Sequence, residues 1–216
     1  MAQLSEWSTL VRAWAEEVIR RVEEFYAARD EHWHLLEIEA HDEDWTPDDE
    51  EISGAFRRHW VASHQVIWSS YQLNRWIERY YQSRDEEAPT SHNHLKDLRD
   101  ALEHLDEAVW LNGYTLGPPP ESRRAGRGLR SLPGKSLIFG LGFDGQLFGL
   151  IDADSLHRRA MEIINEVDQM KFESWQEEAE YLAERDSKEW TNTPACDSEH
   201  TNQSSTLDSP PTGSTQ

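Results

Sequence analysis

The chain has 216 residues, 37% of them hydrophobic and 29% charged, and a formal net charge of -21 from 42 acids against 21 bases. That length suits one compact domain with a tail, and the acidity argues against broad nonspecific binding to nucleic acid, which needs clustered cations. No apolar run approaches the roughly 18 residues of a spanning helix, the acid-broken N-terminus is no signal peptide, and the one cysteine, Cys196, can form neither an internal disulfide nor a thiolate zinc site. A cytoplasmic protein with no membrane association is expected.

From Leu4 to about Ala40, Leu4, Trp7, Val11, Trp14, Val18, Val22, Phe25 and Arg29 recur at steps of three and four, the period of an amphipathic helix. The run from Asp42 to Glu51 holds seven acids and no base, and Thr46-Pro47 before further acids marks a helix start near Asp48. This second helix continues to about Arg84 with Phe56, Trp60, Ile67, Tyr71 and Ile77 near one face, antiparallel to the first. After Pro89, Ser91 or Asn93 offers a cap to a third helix, predicted to run to about Leu111 and to stop at Asn112-Gly113. Its stripe is Leu95, Leu98, Leu102, Leu105 and Val109. Ten tryptophans suit buried helix seams and interfaces.

Gly117 to Gly134 has no periodic pattern and reads as a long loop. It is also the basic exception in an acidic chain: Arg123, Arg124, Arg127, Arg130 and the adjoining Lys135 face one acid, Glu121. Residues 136–151 are apolar around Asp144-Gly145, which predicts a β-hairpin. A last helix follows from Asp152 or Asp154 to about Glu184. Beyond 185 the polar, apolar-poor composition predicts a disordered tail over 186–216. The expected fold is therefore mainly α: one domain over 1–185, an antiparallel bundle of about four long helices with an inserted hairpin.

The chemistry-bearing stretch lies on the third helix. At about 100° per residue, Asp100 and His104 share a face almost opposite the leucines, and Arg99 sits at the stripe's flank. Ala101 and Ala108 form a small-residue strip that lets another helix approach. A histidine can move a proton, an arginine can hold a phosphate, and an aspartate one turn earlier can orient an imidazole. Together they suit transesterification of RNA by its own 2′-hydroxyl, which needs no metal or other cofactor. The same spacing also makes Arg99–Glu103 and Asp100–His104 ordinary i, i+4 surface pairs.

An arginine, a polar residue, a short spacer and a histidine on a helix of an all-α bundle resemble the HEPN superfamily. The resemblance implies long antiparallel helices, metal-independent RNA cleavage in toxin-antitoxin or antiviral systems, and a homodimer that brings two motifs together. Carried over, Arg99 and His104 are catalytic and Asp100 polarises or orients them. Asparagine is commoner than aspartate at the second position, and the hairpin is foreign to the basic fold. Arg123, Arg124, Arg127, Arg130 and Lys135 are the candidate RNA-binding cations, with pairing to the acidic run as the alternative. Glu31 and His34 supply only one Glu-x-x-His, so no metal site is expected. The competing class is a non-catalytic acidic helical module that binds a basic protein partner, and an antitoxin is the partner the nuclease class implies.

Overall fold

The computed structural model describes residues 2–41, 46–92, 94–111, 114–116, 127–138 and 142–191. Three long helices dominate: α1 (Ala2–His41), α2 (Asp49–Gln82) and α5 (Ala153–Thr191). Between α2 and α5 the chain forms α3 (Leu95–Glu103), β1 (Val109–Leu111), β2 (Tyr114–Leu116), α4 (Arg127–Ser131), β3 (Ser136–Ile138), β4 (Gln146–Leu147) and β5 (Ile151–Asp152). The contacts divide the chain into two units, residues 1–172 and 173–216.

In the first unit, α1 and α2 are antiparallel, because Trp7 meets Trp76 while His32 meets Phe56. Helix α5 is antiparallel to α1 by the same reasoning: Arg12 pairs with Asp168, and Tyr26 donates to Asp154 at 2.5 Å. Of the predicted seam, Val11, Val18, Val22, Phe25, Ile67 and Ile77 are buried, whereas Trp7, Trp14, Phe56, Trp60 and Tyr71 are half-buried. Val11, Val18, Val22 and Phe25 of α1 are buried with Val66, Ile67, Leu73 and Ile77 of α2 and with Leu156, Ile163 and Val167 of α5. Removing such side chains from water is the main favourable term, about 1.5–3 kcal/mol for each large one. Helix α2 begins where the sequence says: the Asp48 carboxylate accepts from Glu51 N at 2.8 Å, and the Glu51 carboxylate accepts from Asp48 N at 2.9 Å. This reciprocal box satisfies amides that a helix N-terminus leaves open.

Helix α3 is shorter than its leucine stripe predicts. It stops at Glu103, tightens into one 3-10 turn over Leu105–Glu107 and becomes a strand at Val109. Leu95, Leu98, Leu102 and Leu105 are buried as expected, whereas Val109 is exposed on β1. The reason lies in the next residues. Val109, Trp110 and Leu111 favour extended backbone, and β1 pairs with β2 in the register Leu111↔Tyr114, which leaves Asn112-Gly113 as the two linking residues. Asn-Gly between β-formers signals a hairpin, not only a helix stop.

The hairpin expected over 136–151 is redistributed. β3 joins β2 to give the sheet order β1-β2-β3, all antiparallel, and Thr115 Oγ1, fully buried on β2, donates to Leu137 O at 3.1 Å. A separate small hairpin pairs Leu147 with Ile151 around Phe148, Gly149 and Leu150, with φ of 53° at Phe148 and 68° at Gly149. Asp144-Gly145 therefore precedes β4 instead of turning the chain between the two apolar runs.

The stretch expected to be a loop contains α4. Leu129 and Leu132 are buried, and this apolar pair seats the short helix against α3. A Cβ on Gly128 would stand 2.2 Å from Ala101 N and 2.8 Å from Ala101 Cα, so glycine permits direct contact with the α3 backbone. The small-residue strip does receive a helix, at Ala101.

In the second unit, α5 continues to Thr191, past the predicted end near Glu184, and no Gly or Pro interrupts residues 153–191. Trp175 and Tyr181 are exposed there. The tail expected over 186–216 thus begins as helix, and its remainder, 192–216, lies outside the described residues. No described helix is long and apolar enough to cross a membrane.

Candidate functional site

Arg99 stands on the side of α3 that faces α2. Its guanidinium carbon lies 4.3 Å from the centre of the Tyr71 ring and 5.6 Å from that of Trp68. Nη1 donates to Asp100 at 2.5 Å and lies 2.8 Å from a Glu103 oxygen, and Nε is buried with no hydrogen-bond partner among the described residues. Asp100 therefore holds the guanidinium, one of the two groups it was expected to polarise or orient. A planar cation stacked on an aromatic face and held by two carboxylates is well ordered, and in the free protein its charge is already compensated.

His104 occupies the C-cap of α3 with φ -118° and ψ 26°, outside helical geometry, and it is exposed. The helix that carries Asp100 ends at Glu103, and His104 stands at its boundary. Glu103, the residue before it, holds Arg99 and acts electrostatically on His64, whose ring stacks on Trp60 at 5.7 Å. Burial pushes His64 below the ordinary histidine range, and the Glu103 charge opposes that shift. His59 is fully buried and His64 half-buried.

Arg99 also lines a groove of about 290 Å³ with Tyr71, Gln72, Arg75, Trp76 and Arg79 of α2. The Arg79 guanidinium carbon lies 5.5 Å from the centre of the Trp76 ring, and Trp7 of α1 meets Trp76 at 5.6 Å. Three guanidiniums and two aromatic side chains thus share one solvent-open concavity. The sequence reading named Arg99 but missed Arg75 and Arg79. Their signal was an i, i+4 pair of like charges on a predicted helix, a local cost that calls for an explanation.

Of the predicted RNA-binding cations, Arg123 and Arg124 lie outside the described residues. Arg127 opens α4, Arg130 is half-buried on the same helix, and Lys135 is exposed with a positive φ of 55°. Helix α4 rests on α3 at Ala101. Within the described part of the acidic run, Glu50 pairs with Arg57, and Glu51 completes the α2 capping box. Glu31, of the single Glu-x-x-His, pairs with Arg58 at 2.7 Å.

A second concavity, about 400 Å³, is walled by Phe56, Trp60, Val61, Leu105 and Trp110, with Arg57 and Asp106 at its edge. A third, about 420 Å³, gathers Glu31, Asp48, Glu50 and Glu51 around Arg57 and Arg58. No family, no curated protein and no solved structure matches the chain.

Proposed function

We propose that this protein is a metal-independent endoribonuclease of a toxin-antitoxin or antiviral defence system, as the HEPN-like motif on α3 implies. The observation that supports the reading is Arg99: a motif residue that also lines the groove that Arg75 and Arg79 share with Tyr71 and Trp76. In the reaction, a ribose 2′-oxygen bonds to the adjacent phosphorus while His104 takes its proton. The bond from phosphorus to the 5′-oxygen breaks, and the leaving oxygen is protonated. The products are a 2′,3′-cyclic phosphate and a 5′-hydroxyl. Arg99 stabilises the charge that develops on the phosphorane. To do so it exchanges at least part of its contact with Asp100 and Glu103 for phosphate oxygens.

The resemblance also implies a homodimer, and the exposed position of His104 is compatible with a second copy that completes the site. The test is direct. The purified protein, incubated in EDTA with a defined RNA, is expected to yield new 2′,3′-cyclic phosphate ends. General acid-base groups contribute about 10²–10⁴-fold, so His104→Ala and Arg99→Ala should each lower the rate by at least about 100-fold. Wild-type rates in both variants would remove the motif from the mechanism.

A second reading keeps one specific observation. The cleft in which Glu31, Asp48, Glu50 and Glu51 surround Arg57 and Arg58 holds more acids than bases, which favours a basic protein segment, as a non-catalytic interaction module requires. Affinity for such a segment should fall steeply with salt, and salt-independent binding would count against it.

A further inference from the structure

We propose that the α2–α3 groove is a binding site for single-stranded nucleic acid, in which Arg75 and Arg79 hold backbone phosphates and the rings of Tyr71 and Trp76 form a platform for unpaired bases. The inference takes its ligand class from the RNA reading above and adds the residues that dock the strand before any chemistry.

The charge arrangement is the first argument. In this acidic chain most described arginines are spent on carboxylates: Arg12, Arg20, Arg21, Arg29, Arg57, Arg58, Arg84, Arg99, Arg159 and Arg185 all make ion pairs. Arg75 and Arg79 make none among the described residues. They lie one turn apart on α2, where like charges repel, and both are exposed. Acids outnumber bases two to one in the sequence, yet Glu78, the nearest acid in the chain, pairs with neither. The result is a local positive concavity whose charge is available to an anion from solvent.

The ring geometry supplies the second argument. A phosphate site alone needs only cations, but here the cations alternate with aromatic faces. Arg79 lies over Trp76 and Arg99 over Tyr71, and Trp7 backs Trp76 from α1. Guanidinium planes and aromatic rings both stack on bases, and interleaving of the two is how sequence-tolerant single-strand sites are built. Tyr71 and Trp76 are half-buried and already carry Arg99 and Arg79, so a base stacks here by joining or replacing a guanidinium, which an unpaired base can do and one stacked in a duplex cannot. A volume of about 290 Å³ fits a short segment of strand, at the small end of ligand-sized clefts.

The experiment uses the full chain and a fluorescein-labelled 12-nucleotide oligomer of 2′-deoxy sugars, which cannot undergo transesterification, so binding is read apart from cleavage. Two phosphate contacts on a single strand predict a slope of about -1.4 in log affinity against log salt. Arg75→Gln with Arg79→Gln should weaken binding at least tenfold and flatten that slope. Arg158→Gln with Lys171→Gln, two exposed cations of α5 that remove the same charge, should change it by less than about twofold. Trp76→Phe keeps a smaller ring and should weaken binding less than Trp76→Leu, with thermal melting to confirm that each variant is folded.

Equal affinity in the Arg75/Arg79 variant overturns the proposal, as does equal loss in the α5 control. An abasic oligomer or a duplex bound as tightly as the single strand overturns the stacking platform. A phosphotyrosine peptide that competes at lower concentration than the oligomer assigns the groove to a different ligand and also overturns it. Cleavage of an all-ribose copy reports the nuclease reading separately: arginine-dependent binding without cleavage sinks that reading and leaves the groove standing.

Discussion

His32 and His59 meet with their Nδ1 atoms 3.3 Å apart, buried between α1 and α2 among Phe25, Phe56 and Phe143. Desolvation pushes His59 down to about 4 from the ordinary 6.5, with His32 and Arg29 adding to the fall and Asp30 opposing it; burial lowers His32 as well. The unfolded chain therefore binds protons that the folded one refuses. The contribution of His59 to stability is complete above about pH 6.5 and is lost as pH falls toward 4, a span equivalent to about 3 kcal/mol. Urea unfolding at pH 4.5 and pH 7 is expected to show a large drop on acidification, and His59→Leu should remove more than half of that drop. An unchanged drop in the variant would place the acid sensitivity elsewhere. Arg99 shows the complementary situation: a charge kept in a partly buried position because Asp100, Glu103 and the Tyr71 ring compensate it.

At the level of elements, the close seat of α4 on α3 depends on Gly128. A methyl group there meets backbone, which cannot rotate away, so Gly128→Ala should destabilise the fold by about 1–3 kcal/mol. Denaturant midpoints measure this, and a neutral result would mean that α4 does not pack where described. The long helices were legible because their apolar residues repeat over many turns: Val11, Val18, Val22 and Phe25 are both periodic and buried. The middle of the chain was harder to read. A leucine stripe continues through Leu105 into Val109, so helical periodicity alone overruns the end of α3, while strands of two or three residues such as β3 and β4 carry too few positions to show alternation. Asn112-Gly113 carried both a helix-stop and a hairpin signal, and only the pairing of Leu111 with Tyr114 decides between them. Of the candidate site, the motif residues could be named, but the partners of Arg99 could not. The ring of Tyr71 is 28 positions away in sequence and reaches Arg99 only because α3 packs back on α2.

For the whole molecule, the net charge of -21 would repel a polyanion if it were spread evenly, and the distribution is uneven. Acids gather at Asp48, Glu50 and Glu51 near the start of α2, while Arg75 and Arg79 stand near its end. Arg75 and Arg79 make no ion pair among the described residues, and the proposed strand lies against them. Photo-cross-linking of a single-stranded RNA that carries 4-thiouridine, with the adducts mapped by mass spectrometry, measures that placement directly. Adducts concentrated on Tyr71–Arg79 are predicted; adducts that avoid this segment, or that fall instead around Glu31, Glu50 and Glu51, would contradict it.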